Sequence, residues 1–301
     1  MKDMNTPAVQ VHNLSLSFGS FKAVDGLSLT VDQESIHGFL GPNGAGKSTT
    51  IRALIGVLKP KSGSVSTLGH DPVSHPEVLR RVGYVPGDAT LWSNLTGLEV
   101  LRALESLRKT PANPSLEREL IADFQLDTSK KVREYSTGNR RKVSLIAALS
   151  HEPELLILDE PTAGLDPIME HVFLNHVRRA RNDGASVLLS SHILSEVEQL
   201  CDYVTVLKEG RSVASNEVSY LRKISAHRIT ATVPEVPREL MGRGEVDFDA
   251  GHLSITCDAL AVPDILRIII DAGGQDITSN TASLEEIFLR HYGDAERGVV
   301  Q

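Results

Sequence analysis

The stretch "GPNGAGKST", residues 41–49, decides how this chain folds. It has the form G-x-x-x-x-G-K-[ST], follows the short apolar run "SIHGFL" and precedes a helical pattern, which is the context of a phosphate-binding P-loop. Glycines in such a loop let backbone N–H groups curl around phosphate oxygens. Lys47 is expected to reach the β- and γ-phosphates, and the Ser48 hydroxyl to ligate Mg²⁺. The predicted nucleotide-binding residues of this loop are Gly41, Pro42, Asn43, Gly44, Ala45, Gly46, Lys47, Ser48 and Thr49.

The segments around this loop alternate between strand and helix patterns. The apolar runs "RVGYV", "LLILDE", "SVLLSS" and "YVTVLK" are short and bounded by turn residues, as buried parallel strands are. The earlier runs "VQVHNLSLSF" and "LSLTVD" alternate apolar and polar residues, which is typical of antiparallel strands. The sequence therefore predicts an α/β fold: a P-loop NTPase core with a small antiparallel β subdomain.

Two further regions depart from this pattern. Residues from about 88 to 150 are mostly helical, with a capping box at Thr96 and Glu99, and predict a helical insert. After residue 220, "HRITATV" and "HLSITC" alternate like strands, and "VPDILRIIIDAG" predicts a helix. A further strand is expected after it, and "SLEEIFLRHYG" predicts a second helix that opens on Ser283 and Glu286. We expect an ATPase domain over 8–220 and a small C-terminal α+β domain over 221–301.

The composition favours a globular protein without membrane spans. The 301 residues are 41% hydrophobic and 23% charged, with a net charge of -8 that argues against a nucleic-acid partner. No run reaches the roughly 18 apolar residues of a membrane span, and "MKDMNTPAVQ" lacks an apolar signal segment. Cys201 and Cys257 lack metal-like spacing and are expected to be buried thiols. These features predict a cytoplasmic protein.

Three polar residues follow apolar strands and are candidates for catalysis. Asp159 and Glu160 end the strand in "LLILDEP", and His192 follows the strand in "SVLLSSH". Ligands bind at the carboxyl edge of open α/β sheets, so we expect Asp159 to hold Mg²⁺, Glu160 to polarise the attacking water and His192 to bond the γ-phosphate. The alternatives are a solvent-facing acidic pair and a histidine that caps or packs a helix.

The motifs "GPNGAGKST", "YSTGN", "LLILDEP", "AGLDP" and "SSH" occur in the order found in the ATP-binding cassette ATPases. The chain resembles that family over roughly residues 8–215. The resemblance implies a head-to-tail dimer in which Ser136 and Gly138 of one chain close over the γ-phosphate held by the other, with Asp166 in the adjoining D-loop. It also implies that Phe18 stacks on adenine, although Phe18 as a core residue is the alternative. Because the chain carries one cassette, its partner is expected to be a second copy.

Two motifs depart from the family pattern. The family signature is LSGGQ, whereas Tyr135, Thr137 and Asn139 differ here. In "VGYVPGD", Gly87 stands where the family usually has a glutamine that contacts Mg²⁺ and water. A flexible hinge at Gly87 and an oxygen ligand from Asp88 are the two interpretations.

Several segments resemble the type-two exporters, whose permease is a separate polypeptide: "TTIRALIGVLKPKSGSV", "LTGLEVL", "HILSEVEQLCDYVTVLKEGR" and "TASLEEIFLRHYG". The resemblance implies an ATPase on the inner face of the membrane that drives export of a drug, antibiotic or lipid-like substrate. Leu91 and Trp92 either dock the permease or pack inside the insert. The competing function is a cassette ATPase outside transport, in translation, DNA repair, cell division or envelope remodelling.

The basic run after the signature also allows two interpretations. Arg140, Arg141 and Lys142 lie early in the helix that "STGNRRKVSL" predicts. A solvated helix face is the expected role of these side chains, with phosphate contact as the alternative.

Overall fold

The computed structural model describes residues 6–88, 90–220 and 227–281. The chain divides into two compact units, with the boundary between Ser215 and Asn216. The helix expected around Ser283 and Glu286 lies outside the described residues.

The first unit is built from nine strands and six α-helices within the described residues. The strands are β1 (Val9–Phe18), β2 (Phe21–Val31), β3 (Ile36–Leu40), β4 (Ser62–Thr67), β5 (Val82–Val85), β6 (Leu155–Asp159), β7 (Ser186–Ser191), β8 (Tyr203–Lys208) and β9 (Arg211–Glu217). The helices are α1 (Lys47–Leu54), α2 (Gly97–Arg108), α3 (Pro114–Asp123), α4 (Thr137–Leu149), α5 (Pro167–Asn182) and α6 (Leu194–Leu200). Short 3-10 helices cover Pro76–Arg81 and Val132–Glu134.

A six-stranded sheet in the order β5-β6-β7-β3-β8-β9 forms the centre of this unit. Strands β5, β6, β7, β3 and β8 pair in parallel. Strands β3, β6 and β7 are buried at every position, which explains their uninterrupted apolar runs. In the register, Asp159 pairs with Ser190 and Leu40 with Ser191, so β6, β7 and β3 end at the same edge. The P-loop and the acidic pair therefore lie at one edge.

A separate antiparallel sheet has the order β2-β1-β4. Its apolar side chains share one core cluster with α1 and the central sheet, including Leu14, Leu27, Ile51 and Phe39. Apolar and polar residues alternate along β1 and β2 because one face of this sheet is exposed, whereas β3, β6 and β7 of the parallel sheet are buried at every position. The predicted fold class, with its antiparallel subdomain, is confirmed.

The predicted helical insert contains α2, α3 and α4. Helix α2 begins at the predicted capping box: Thr96 N–H donates to Glu99 Oε2 at 2.7 Å, and Glu99 N–H donates to Thr96 Oγ1 at 3.2 Å. Helix α3 is capped by Asn113, and α4 by Ser136. Helix α4 is buried along most of its length, so the insert contributes to the interior of the unit.

Within residues 227–281, the second unit forms a four-stranded antiparallel sheet and one α-helix. It contains β10 (His227–Thr232), β11 (Glu245–Asp249), β12 (His252–Cys257), α7 (Val262–Asp271) and β13 (Gln275–Thr281), with 3-10 helices at Arg238–Leu240 and Ala259–Ala261. The sheet order is β11-β12-β10-β13. Its core includes Ile229, Ile255, Ile265 and Ile269. The predicted strands β10 and β12, the predicted helix α7 and the strand expected after it, β13, are present, whereas β11 was not predicted. Cys201 of the first unit and Cys257 of this one are buried free thiols, as expected.

Candidate nucleotide-binding and catalytic site

The P-loop connects β3 to α1 through a backbone path that excludes side chains at two positions. A Cβ atom on Gly46, which has φ 105°, would lie 2.5 Å from the carbonyl oxygen of Ala23. A Cβ atom on Gly41 would lie 2.5 Å from the carbonyl oxygen of Leu207. Both glycines are thus required by close backbone contacts. The loop itself presents exposed residues at Pro42, Asn43 and Gly44, whereas Ala45 is buried.

Lys47 is the first residue of α1, and its side chain folds back onto the loop. Its ammonium group donates to the carbonyl oxygens of Gly41 at 2.6 Å and Pro42 at 3.2 Å, and lies 3.7 Å from Glu160 Oε1. Burial lowers the pKa of Lys47, and the carboxylates of Glu160 and Asp159 oppose that shift. The Lys47 ammonium group therefore lies beside the glycine-rich loop, where it can bind an anionic ligand. Ser48 and Thr49 follow it, both half-buried.

Asp159 and Glu160 are both fixed by Ser190 of the neighbouring strand β7. Asp159 is 3% exposed, and its Oδ1 accepts from the Ser190 hydroxyl at 2.5 Å. The Glu160 N–H donates to the Ser190 carbonyl oxygen at 3.1 Å. Glu160 has φ 47°, a left-handed conformation that is unfavourable for a side chain with a Cβ and that clusters at functional sites. Ser190 was not predicted, because its role arises from the strand pairing.

His192 lies beside Glu160, as its position after β7 predicted. Its Nδ1 is 3.4 Å from Glu160 Oε1, and the side chain is 49% exposed. The structure therefore brings Lys47, Asp159, Glu160 and His192 together at the carboxyl edge of the sheet.

A buried carboxylate bridges the two loops that carry Glu160 and His192. Glu196, on α6, is 8% exposed. Its Oε1 accepts from the Thr162 hydroxyl at 2.5 Å, and its Oε2 from the Ser191 hydroxyl at 2.6 Å. Thr162 is two residues after Glu160, and Ser191 is one before His192. Glu196 was not predicted, because nothing in "LSEVEQL" distinguishes a bridging carboxylate from one at the surface.

The signature segment forms the beginning of α4. Ser136 is the N-cap, and its hydroxyl accepts from the N–H of Asn139 at 3.2 Å. A Cβ atom on Gly138 would lie 2.4 Å from the carbonyl oxygen of Gly164, so the signature packs against the loop after β6. In that loop, Asp166 caps α5 by accepting from the N–H groups of Ile168 and Met169, each at 3.0 Å. Asp166 thus has a structural role of its own.

The expectation of a solvated face after the signature is wrong for Arg141. Its side chain is 3% exposed and donates to the carbonyl oxygens of Pro86 and of Gly87, the latter at 2.5 Å. The cause is that α4 packs against the end of β5, where these carbonyls lie. Arg140 and Lys142 are half-buried.

Phe18 ends β1 and pairs in register with Phe21 of β2. The two rings are 50% and 61% exposed. The interpretation of Phe18 as a core residue is therefore wrong, and the hairpin carries a second exposed aromatic that sequence analysis passed over in "FGSF".

Comparison with known proteins places this site in a family. The model of the ABC transporter family matches residues 24–163. The daunorubicin resistance ATP-binding protein DrrA3 of Streptomyces coeruleorubidus is 36% identical over 98% of both chains. The chain belongs to the ABC transporter ATP-binding proteins. The bacitracin transport ATP-binding protein BcrA of Bacillus licheniformis is 39% identical over 71% of each chain.

Solved structures of the family share the fold. A structure described as the ATP-binding subunit of an ABC transporter is 33% identical, has a TM-score of 0.67, and covers 72% of this chain and 92% of its own. A nucleotide-free ATP-binding cassette is 27% identical, with a TM-score of 0.60. As an ABC ATPase, the chain binds and hydrolyses ATP. Within residues 6–88, 90–220 and 227–281, every helix falls short of the length and apolar character of a bilayer-spanning helix.

Proposed function

We propose that this ABC ATPase powers an exporter of a drug, an antibiotic or a lipid-like molecule through a separate membrane permease. The observation that carries the proposal is the 36% identity to DrrA3 over 98% of both chains, because it extends through the C-terminal unit. The relatives named for daunorubicin resistance and bacitracin transport support export over the roles in translation, repair, division or envelope remodelling. We propose an ATPase domain followed by a C-terminal accessory domain; the two compact units divide between Ser215 and Asn216, a few residues before the boundary expected at 220 and 221.

The residues of the P-loop would hold the triphosphate. The close backbone contacts at Gly41 and Gly46, where a Cβ atom would not fit, support this assignment. Phosphate oxygens would replace the carbonyl oxygens of Gly41 and Pro42 as partners of the Lys47 ammonium group. The exposed ring of Phe18 offers the adenine a stacking surface, and Phe21 beside it offers a second.

The oxygen atoms of Ser48 and Asp159 fit Mg²⁺, which prefers such hard ligands. When bound, Mg²⁺ supplies positive charge next to the phosphate oxygens. Asp159 is buried and its Oδ1 is already held by Ser190, so its carboxylate is oriented before any ligand arrives. Asp88 is exposed and its carboxylate accepts from Thr90 Oγ1 at 3.2 Å, so we do not propose it as a metal ligand. Arg141 donates to the Gly87 carbonyl oxygen, so we do not propose a flexible hinge at Gly87 either.

Glu160 is proposed to accept the proton of the attacking water. Its carboxylate stands between the Lys47 ammonium group at 3.7 Å and His192 Nδ1 at 3.4 Å, which together orient it. His192 is half exposed, so its ring is also accessible to a γ-phosphate.

The signature segment, at the N-terminus of α4, is proposed to bind the phosphate of a nucleotide held by a partner copy. The N-terminus of α4 presents Ser136 and Gly138, and backbone N–H groups at such a terminus stabilise the charge of a phosphate. Two copies packed head to tail would place each signature over the nucleotide of the other. On the insert, Trp92 is 48% exposed and offers the permease an apolar contact, with half-buried Leu91 next to it.

Purification of the tagged chain from detergent-solubilised membranes of its source cells tests the exporter role. We expect a polytopic membrane protein to copurify in stoichiometric amount, and ATPase activity of that complex to respond to candidate cargo. Recovery of the chain exclusively free of any membrane protein, with full ATPase activity, would contradict the proposal.

A further inference from the structure

The guanidinium of Arg141 is an unusual group to find inside this protein. Charged side chains are rarely buried without a paired charge, yet Arg141 is 3% exposed and its Nη atoms bond backbone carbonyls. Among the described residues, its Nε is one of the few buried side-chain nitrogens without a hydrogen-bond partner. The desolvation of this cation lowers its pKa, and the nearby carboxylates of Asp159 and Asp88 oppose that shift. A costly arrangement of this kind calls for a functional reason.

The carbonyls that Arg141 binds belong to the loop that covers Asp159. A Cβ atom on Gly87 would lie 3.2 Å from Asp159 Oδ2 and 3.4 Å from its Cγ. The backbone at Gly87 is therefore in close range of the carboxylate that we assign to the metal. Because residue 87 has no side chain, the position of this loop depends on its backbone, and Arg141 holds that backbone by two carbonyls at once.

Helix α4 also touches the loop on the other side of the acidic pair. Gly138 precedes Arg141 by three positions, so the two lie on neighbouring positions of one helix face. Gly138 packs against the carbonyl oxygen of Gly164, in the loop after β6. The first turns of α4 thus contact the loop after β5 through Arg141 and the loop after β6 through Gly138.

We propose that Arg141 is a positioning residue that fixes the loop at Gly87 against Asp159 and so couples the signature end of α4 to the metal-binding carboxylate. The inference rests on the proposed role of Asp159. Arg141 would then connect the signature at the start of α4 to the site formed by the P-loop and Asp159. A displacement of α4 at the signature would move the Pro86 and Gly87 carbonyls with it, and with them the backbone next to Asp159.

The test compares Arg141→Met and Arg141→Lys with the control Lys142→Met on the same helix. Each purified chain is measured for kcat, for the Mg²⁺ concentration at half-maximal ATPase activity, and for affinity toward a fluorescent ATP analogue in EDTA. We expect Arg141→Met to lower kcat by about 10- to 100-fold and to raise the Mg²⁺ concentration at half-maximal activity by a similar factor, as loss of a group that orients a metal ligand does. The affinity in EDTA is expected to stay within about twofold, since the P-loop is untouched. Arg141→Lys should recover part of the activity, because its ammonium group still donates to one carbonyl.

Two results would overturn the inference. The first is an Arg141→Met chain with the kcat and Mg²⁺ dependence of the Lys142→Met control. The second is an equal loss of affinity in EDTA, which would indicate general damage to the fold; if Arg141→Met does not fold, Arg141→Lys carries the same comparison. Glu160→Gln in the same assay separates the two proposals, because a fully active Glu160→Gln chain would refute the proposed catalytic site itself.

Discussion

Substitution of Gly138 by alanine tests how tightly the signature and the loop after β6 are fitted together. The new Cβ would lie 2.4 Å from the carbonyl oxygen of Gly164, whereas ordinary van der Waals contact begins at 3.4 Å. The neighbouring atom is backbone, so the signature or the Gly164 loop must shift by roughly 1 Å. A misplacement of that size near a reacting centre costs about 100-fold in rate, which corresponds to about 2.7 kcal/mol in the activation free energy.

The assay for Gly138→Ala separates catalysis from nucleotide binding. We expect kcat to fall by about 100-fold while the affinity of a single chain for a fluorescent ATP analogue changes little, because the P-loop is formed by other residues. Lys142→Ala, on the next turn of α4, adds no atoms and serves as the control. An unchanged kcat in Gly138→Ala would refute the packing argument, and an equal loss of nucleotide affinity would show that the signature acts on its own P-loop.

Three other measurements address the rest of the site and the core. Lys47→Ala should weaken binding of the ATP analogue by roughly 10- to 100-fold, because a charge-assisted contact is lost; an unchanged affinity in a titration would remove the P-loop assignment. Glu196→Ala should lower kcat by about 10-fold with KM retained, and Glu196→Gln by less, since its amide oxygen still accepts from one of the Thr162 and Ser191 hydroxyls; a raised KM alone in steady-state kinetics would contradict this. Burial lowers the pKa of His37 and of His151 to about 4, so between pH 6.5 and 4 the unfolded chain binds more protons than the folded one. The free energy of unfolding should therefore fall as the pH drops through that window, by up to about 3 kcal/mol per histidine. A free energy of unfolding in urea that does not change with pH over this range would contradict the burial of these two histidines as neutral groups.

The sequence predicts the parts of the site that depend on strand ends. Lys47, Asp159, Glu160 and His192 each follow an apolar run, and parallel strands bring their carboxyl ends to one edge, so the placement of these four follows from pattern alone. The capping box at Thr96 is equally local, and the structure contains it.

The groups that sequence analysis missed depend on contacts between distant parts of the chain. Arg141 and Gly87 are 54 residues apart, and the "RRK" run looks like any solvated basic face until β5 is placed against α4. Ser190 orients Asp159 only because β6 and β7 pair at that register. Glu196 becomes a bridge only when the Thr162 and Ser191 loops converge on it.

The sharing of one ATP site by two chains is tested most directly by the mass of the Glu160→Gln protein. The wild-type chain has a mass of 32.7 kDa. With the proton acceptor removed, ATP should persist between the P-loop of one copy and the signature of the other. Light scattering coupled to size-exclusion chromatography should then give about twice the monomer mass in ATP and Mg²⁺, and the monomer mass in ADP. A Glu160→Gln chain that binds ATP and still elutes at 32.7 kDa would contradict the shared site.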